Sequence, residues 1–140
     1  MGVLRTQTYR SRSEIEAARR RARKNQDDCA SLAEELRAER DYVGARTPEV
    51  VAKRLEGYLA AFSWLLGETG ASPITGRPYP SSGDPAYVHK MLFKEEAPGR
   101  DMAESGNPGP NDLGRAFTEG FGEAISWYKG AYDDGLPSLF

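Results

Sequence analysis

Five basic side chains, Arg19, Arg20, Arg21, Arg23 and Lys24, form the densest group in this sequence that is capable of chemistry. Residues 1–24 carry eight basic and two acidic side chains, a net +6, while the other 116 residues sum to −8, so the whole chain stands at −2. A basic end of this kind can lie along phosphates, because each neutralised phosphate releases condensed counterions. At 100° per helical residue, however, the five side chains spread over every direction except that of Ala18 and Ala22, as a solvated face does. Acidic partners stand one turn away: Glu16 for Arg20, Asp27 for Arg23 and Asp28 for Lys24. No aromatic is interleaved and no nucleic-acid-binding motif is present. The segment is therefore expected to meet solvent or an acidic protein partner before nucleic acid.

The remaining reactive groups do not assemble into a motif. One histidine, His89, and one cysteine, Cys29, cannot supply a zinc set or an internal disulfide, and neither stands with Ser81 or Ser82 in a triad pattern. Glu34 with Glu35, Glu95 with Glu96, and Asp133 with Asp134 are adjacent pairs, and neighbours on a helix point about 100° apart. They read as solvated faces before acid/base dyads. The Gly-rich piece at 106–112 lacks the Lys-Ser/Thr of a phosphate loop and follows no predicted strand. These observations predict a non-enzymatic protein with no cofactor and no metal.

Candidate partner contacts are aromatic and apolar. Trp127 falls off the apolar stripe of its predicted helix and, beside Tyr132, is expected to meet another chain, since aromatic anchors dominate interfaces. Tyr79 gives a long loop something to dock, and Leu136, Leu139 and Phe140 make an unusually apolar tail.

The element around which these groups must be arranged is the stretch 47–66. Thr47 is placed to cap, Pro48 to open and Glu49 to complement a helix dipole. Val51, Leu55, Tyr58, Phe62 and Leu65 then recur every three or four residues, with Leu59 and Leu66 widening the stripe. Upstream, Ser13 with Glu16 reads as a capping box for a helix running to about Val43 and stopped by Gly44. Its seam would comprise Ile15, Ala18, Ala22, Asn25, Cys29, Leu32, Leu36, Glu39 and Val43, too poor for a free-standing zipper and suited to an antiparallel pair with the second helix. Asp84 and Pro85 start a third helix that Pro98 and Gly99 should end. Asp112 caps a fourth from Leu113 to Tyr132, whose Gly114, Gly120 and Gly122 demand close packing.

The expected organisation is a basic arm at 1–12, a helical domain at 13–132 and an apolar tail at 133–140. The fold class is all-α: a small bundle built on a long N-terminal helical hairpin, with two long Pro/Gly-rich loops. Leu, Ile, Val and Phe total 24 residues, about 17% of the chain, so the core is thin, and another subunit or a protein partner is expected to complete it. No run approaches the roughly 18 apolar residues of a membrane span, and no secretory signal is apparent, which predicts a cytoplasmic protein or one within an intracellularly assembled particle. The function these features favour is a helical assembly or adaptor protein, a small subunit of a larger complex such as a phage-like particle or a regulatory assembly. A nucleic-acid-associated protein using Arg19 to Lys24 is the alternative, and a small helical enzyme comes third.

Overall fold

A computed structural model describes residues 9–80, 84–105 and 113–130, and these form four α-helices and no strand. They are α1 (Arg12–Ala38), α2 (Tyr42–Leu65), α3 (Pro85–Ser105) and α4 (Leu113–Tyr128). α2 lies between α1 and α4, and α3 covers the far side of α4. Leu55, Tyr58, Phe62 and Trp64 of α2 are fully buried, together with Phe121, Ala124 and Ile125 of α4 and Leu92 of α3. The stretch predicted to organise the chain does so.

Each helix starts earlier, or ends elsewhere, than its sequence signals suggest. α1 is capped by Ser11 rather than Ser13: the Ser11 hydroxyl accepts from the Glu14 amide at 3.1 Å and the Glu14 carboxylate accepts from the Ser11 amide at 2.8 Å. The same box chemistry was available two residues upstream. α1 stops at Ala38, and Arg40 turns the chain with φ 65, a left-handed position taken here without glycine. α2 then begins at Tyr42, because the Asp41 carboxylate accepts from the Gly44 amide at 2.8 Å. Thr47 is thus not a cap, and Pro48 sits buried inside the helix. α3 likewise runs through Pro98 and Gly99 to Ser105, which removes the predicted start of the second loop. α4 ends at Tyr128, with Gly130 at φ 93 beyond it, and Tyr132, where the helix was expected to end, lies outside the described residues.

The seam of α1 also differs. Ile15, Ala18, Ala22 and Ala33 are its buried residues, whereas Leu32 is 47% exposed and Val43, now on α2, 88%. From Ile15 to Ala33 is five turns of 3.6 residues, the period of a straight helix, whereas a heptad seam of period 3.5 lands on Leu32.

Three glycines explain how closely the helices approach. A methyl group at Gly57 of α2 would lie 2.8 Å from the Phe121 amide nitrogen and nearer still to the Phe117 carbonyl oxygen. One at Gly120 would lie 2.9 Å from the Arg54 carbonyl carbon, and one at Gly99 of α3 2.5 Å from the Thr118 carbonyl oxygen. Backbone meets backbone at both crossings, the close packing expected of Gly120 and Gly122, whereas Gly114 is exposed.

Residues 9 and 10, placed by sequence in a basic arm, are fastened to the end of α4. The Arg10 amide donates to the Tyr128 carbonyl and its guanidinium Nε to the Trp127 carbonyl, both at 3.0 Å. A cation there satisfies helix-terminal acceptors and complements the negative end of the dipole. Tyr9 stacks on Tyr128 with ring centroids 5.0 Å apart.

Candidate functional site

Arg19, Arg20, Arg23 and Lys24 line an open groove of about 780 Å³ between α1 and the end of α2, shared with Asp27, Asp28, Ser63 and Glu68. Arg21 does not line it. Arg19 is committed to Glu68 at 2.5 Å and Lys24 to Asp28 at 3.1 Å. The hydrogen bond from Arg19, followed by the fields of Arg12 and Arg23, holds the Glu68 carboxyl below its ordinary range. Of the other pairs expected from spacing, Glu16 joins Arg12 at 3.4 Å instead of Arg20, and Asp27 has no cationic partner among the described residues. Four cations against three carboxylates leave the groove at +1. Charge so nearly compensated suits a protein surface of mixed charge better than a run of phosphates.

The predicted partner contacts divide into two sets. Trp127 is core: it is 4% exposed, meets Phe62 edge-on at 5.7 Å between centroids and carries the Arg10 guanidinium 5.0 Å from its ring. Its helix is enclosed by α2 on one side and α3 on another, so a residue off the main stripe is buried all the same. Tyr79 is half-buried and tied down within the chain, edge-on to Trp64 at 5.3 Å, its hydroxyl 2.7 Å from that of Tyr128. Burial, then the bond to Tyr79, pushes the Tyr128 hydroxyl well above the ordinary tyrosine range. Tyr132, Leu136, Leu139 and Phe140 lie outside the described residues.

Buried charge, unmarked by any motif, was the main feature that sequence reasoning missed. Glu95 and Glu96, read as a solvated pair, are 1% and 3% exposed and face different neighbours. Glu95 accepts from the hydroxyls of Ser72 and Thr75 and so fixes the loop after α2 against α3. Glu96 accepts from Lys129 and Arg100, each at 2.7 Å, and from Ser126. Burial alone would raise the Glu96 carboxyl, but the bonds from Lys129 and Ser126 and the charge of Arg100 hold it below its ordinary value. Across the α2–α4 crossing, Arg54 reaches Glu119 at 2.8 Å and Glu123 at 3.6 Å, Arg115 pairs with Glu119, and the Tyr58 hydroxyl donates to Glu123. These carboxylates are held by cations and hydroxyls, an arrangement that orients the helices against one another. The one signal available was spacing: Arg115, Glu119, Glu123 and Ser126 recur at three and four residues on a helix already apolar elsewhere.

Other candidate chemistry is not brought together. His89 is exposed on α3. Burial, then the neighbouring Asp28, pushes the Cys29 thiol up, the opposite of an activated thiolate. Ser81 and Ser82 lie outside the described residues. Among the described residues no cluster of His, Cys, Asp or Glu has the arrangement of a metal site, and no helix is long and apolar enough to cross a membrane. No family model, curated protein or solved structure matches the chain.

A second groove, of about 500 Å³, runs along α1 and α2 beyond the start of α4. It is lined by the small residues Ala30, Ala33 and Ala52 and by the charged Asp27, Arg37, Arg46, Glu49, Lys53 and Glu56, together with Gln26 and Leu113. Where α4 meets this part of α2, the Lys53 ammonium lies 5.7 Å from the Phe117 ring centroid. Toward the α1–α2 turn, Leu32, Tyr42 and Val43 are 47%, 63% and 88% exposed.

Proposed function

We propose that this chain is a non-enzymatic helical assembly or adaptor protein. In this reading α1 and α2 form a long N-terminal hairpin whose far end reaches past the body made with α3 and α4, and the two Pro/Gly-rich loops and the arm serve as further grips. The observation that carries it is the exposure of Leu32, Tyr42 and Val43 toward the turn of that pair, three of the five large apolar side chains exposed among the described residues, the other two being Tyr87 and Phe93 of α3. Exposed apolar side chains that form a contiguous patch mark a contact site, whereas singly scattered ones do not.

The test is the size of the native particle. Protein released under mild conditions from the cells that encode it should sediment in an assembly well above its 15.4 kDa. A variant carrying Leu32→Ser, Tyr42→Ser and Val43→Ser should leave that assembly while keeping its helical circular dichroism. A 15.4 kDa species for the wild type in native extract would overturn the reading.

Nucleic-acid association is the second reading, supported by the four basic side chains that share the first groove. It requires affinity for a DNA duplex whose logarithm falls with log salt by about 0.9 per phosphate contacted. Absence of binding at about 50 mM salt, where such contacts are strongest, would end it.

A further inference from the structure

The groove lined by Ala30, Ala33 and Ala52 is polarised along its length. At the end near the α1–α2 turn, Glu49 is shared by two guanidinium groups, Arg37 and Arg46, the latter at 3.8 Å, which leaves one cation in surplus. At the other end Lys53 pairs with Glu56 at 3.2 Å, and Asp27, which also borders the first groove, makes no ion pair with a described residue, so within this groove one anion is in surplus. The two ends are thus +1 and −1. They lie about ten residues apart on α1, or roughly 15 Å at 1.5 Å per residue.

We infer that this groove is the seat of a second copy of the chain, laid antiparallel across a two-fold axis. The inference rests on the assembly reading and names its partner. A two-fold axis through the middle of the groove sets the surplus arginine of each copy against the other's Asp27, so both charges are matched twice over, as an isologous interface requires. The small side chains of Ala30, Ala33 and Ala52 leave room for the helices of the two copies to approach, and face-to-face contact converts two helical pairs into a four-helix layer. A nucleic acid would meet only half of this surface favourably, and an acidic or basic peptide only one end. The face is small, so association belongs at the weak end of specific interfaces and is read at roughly 10 µM to 1 mM protein.

Sedimentation equilibrium of the full chain tests it. The wild type should move from 15.4 kDa toward twice that mass across this range. Asp27→Arg and Arg46→Glu each place like charges together and should raise the Kd about tenfold or more, and Ala30→Arg should abolish the dimer. The decisive sample is an equimolar mixture of the Asp27→Arg and Arg46→Glu chains. One contact of the mixed pair is wild type and the other is charge-swapped, so the heterodimer should form where neither variant pairs with itself. Circular dichroism separates these losses from unfolding, and the mixing result stands even if Ala30→Arg folds poorly. A wild type that remains monomeric throughout overturns this inference. An oligomer indifferent to all three substitutions, or a mixture no tighter than its components, does so too. The assembly reading is judged separately, on the native particle.

Discussion

Replacing Gly120 by alanine puts the α2–α4 crossing to a test in which two effects oppose each other in sign. On an isolated helix the change stabilises by about 1 kcal/mol, the difference in propensity. Here the new methyl would sit 2.9 Å from the Arg54 carbonyl carbon and closer to its oxygen, against backbone that cannot rotate away. Ordinary contact requires about 3.5 Å, so the two helices must part by roughly 1 Å. Tyr58, Phe62, Trp64 and Phe121, all fully buried at this junction, would lose contacts together. Overpacking of this kind costs about 3 kcal/mol at its upper range, and subtracting the propensity gain leaves a net loss of about 2 kcal/mol. For a chain of this length that corresponds to a fall of roughly 6 °C in Tm. Urea titrations give the ordering. Gly57→Ala should match Gly120→Ala, whereas Gly122→Ala, whose methyl would be 3.0 Å from the Glu96 carbonyl oxygen, should cost clearly less. If Gly120→Ala raises the urea midpoint, propensity has won and the helices do not cross backbone on backbone.

Glu96 should make the fold acid-sensitive. Its folded pKa is depressed below the ordinary 4.5, so its contribution is present above that value and is lost as pH falls through the folded pKa. Urea midpoints measured from about pH 6 down to about pH 3 should therefore fall more steeply for wild type than for Glu96→Gln, and parallel curves would contradict the ion-pair assignment. Phe62→Ala should cost about 3 to 5 kcal/mol by lost transfer and cavity terms together, and a loss under about 0.5 kcal/mol would mean that α2 is not the centre of the core. Arg10→Ala removes a cation and its hydrogen bond from the end of α4. A loss of about 1 to 2 kcal/mol with a change in Trp127 emission is expected, and unchanged fluorescence would show that residue 10 is not docked.

What the sequence made legible was the central stripe and the need for close packing. Leu55, Tyr58 and Phe62 repeat at an unambiguous helical period, and glycines inside α4 would weaken that helix unless a close approach compensated. Helix ends were less legible because capping groups recur: Ser11 and Ser13, or Asp41 and Thr47, offer similar local chemistry, and the choice falls to contacts made elsewhere. Pro98 and Gly99 carry strong local stop signals. They are overridden because Gly99 lets α3 rest directly on α4. Trp127 was misplaced for a related reason, since a single-stripe reading assumes one buried face and α4 has two. For the basic segment, spacing alone named Glu16 as the partner of Arg20, but Arg12 takes Glu16, while Glu68, from beyond the end of α2, takes Arg19. A partner 49 residues away leaves no periodic trace.

The fastening of Arg10 to Trp127 and Tyr128 has a consequence for the order in which the molecule can be assembled. α1 and α2 are neighbours in sequence and can pair once both exist, at small loop-closure cost. The Gly57 face of α2, by contrast, has no occupant until residues 117–121 have been made, and the last carbonyls of α4 receive a segment 117 residues upstream. A nascent chain that has reached only α3 must hold an open seat on α2 for a helix still to come. Such long-range closure is slow and leaves apolar surface uncovered in the interval. Pulse-labelled hydrogen exchange during refolding should accordingly protect the α1–α2 amides before those of α4, and the reverse order would show that the final helix nucleates the fold.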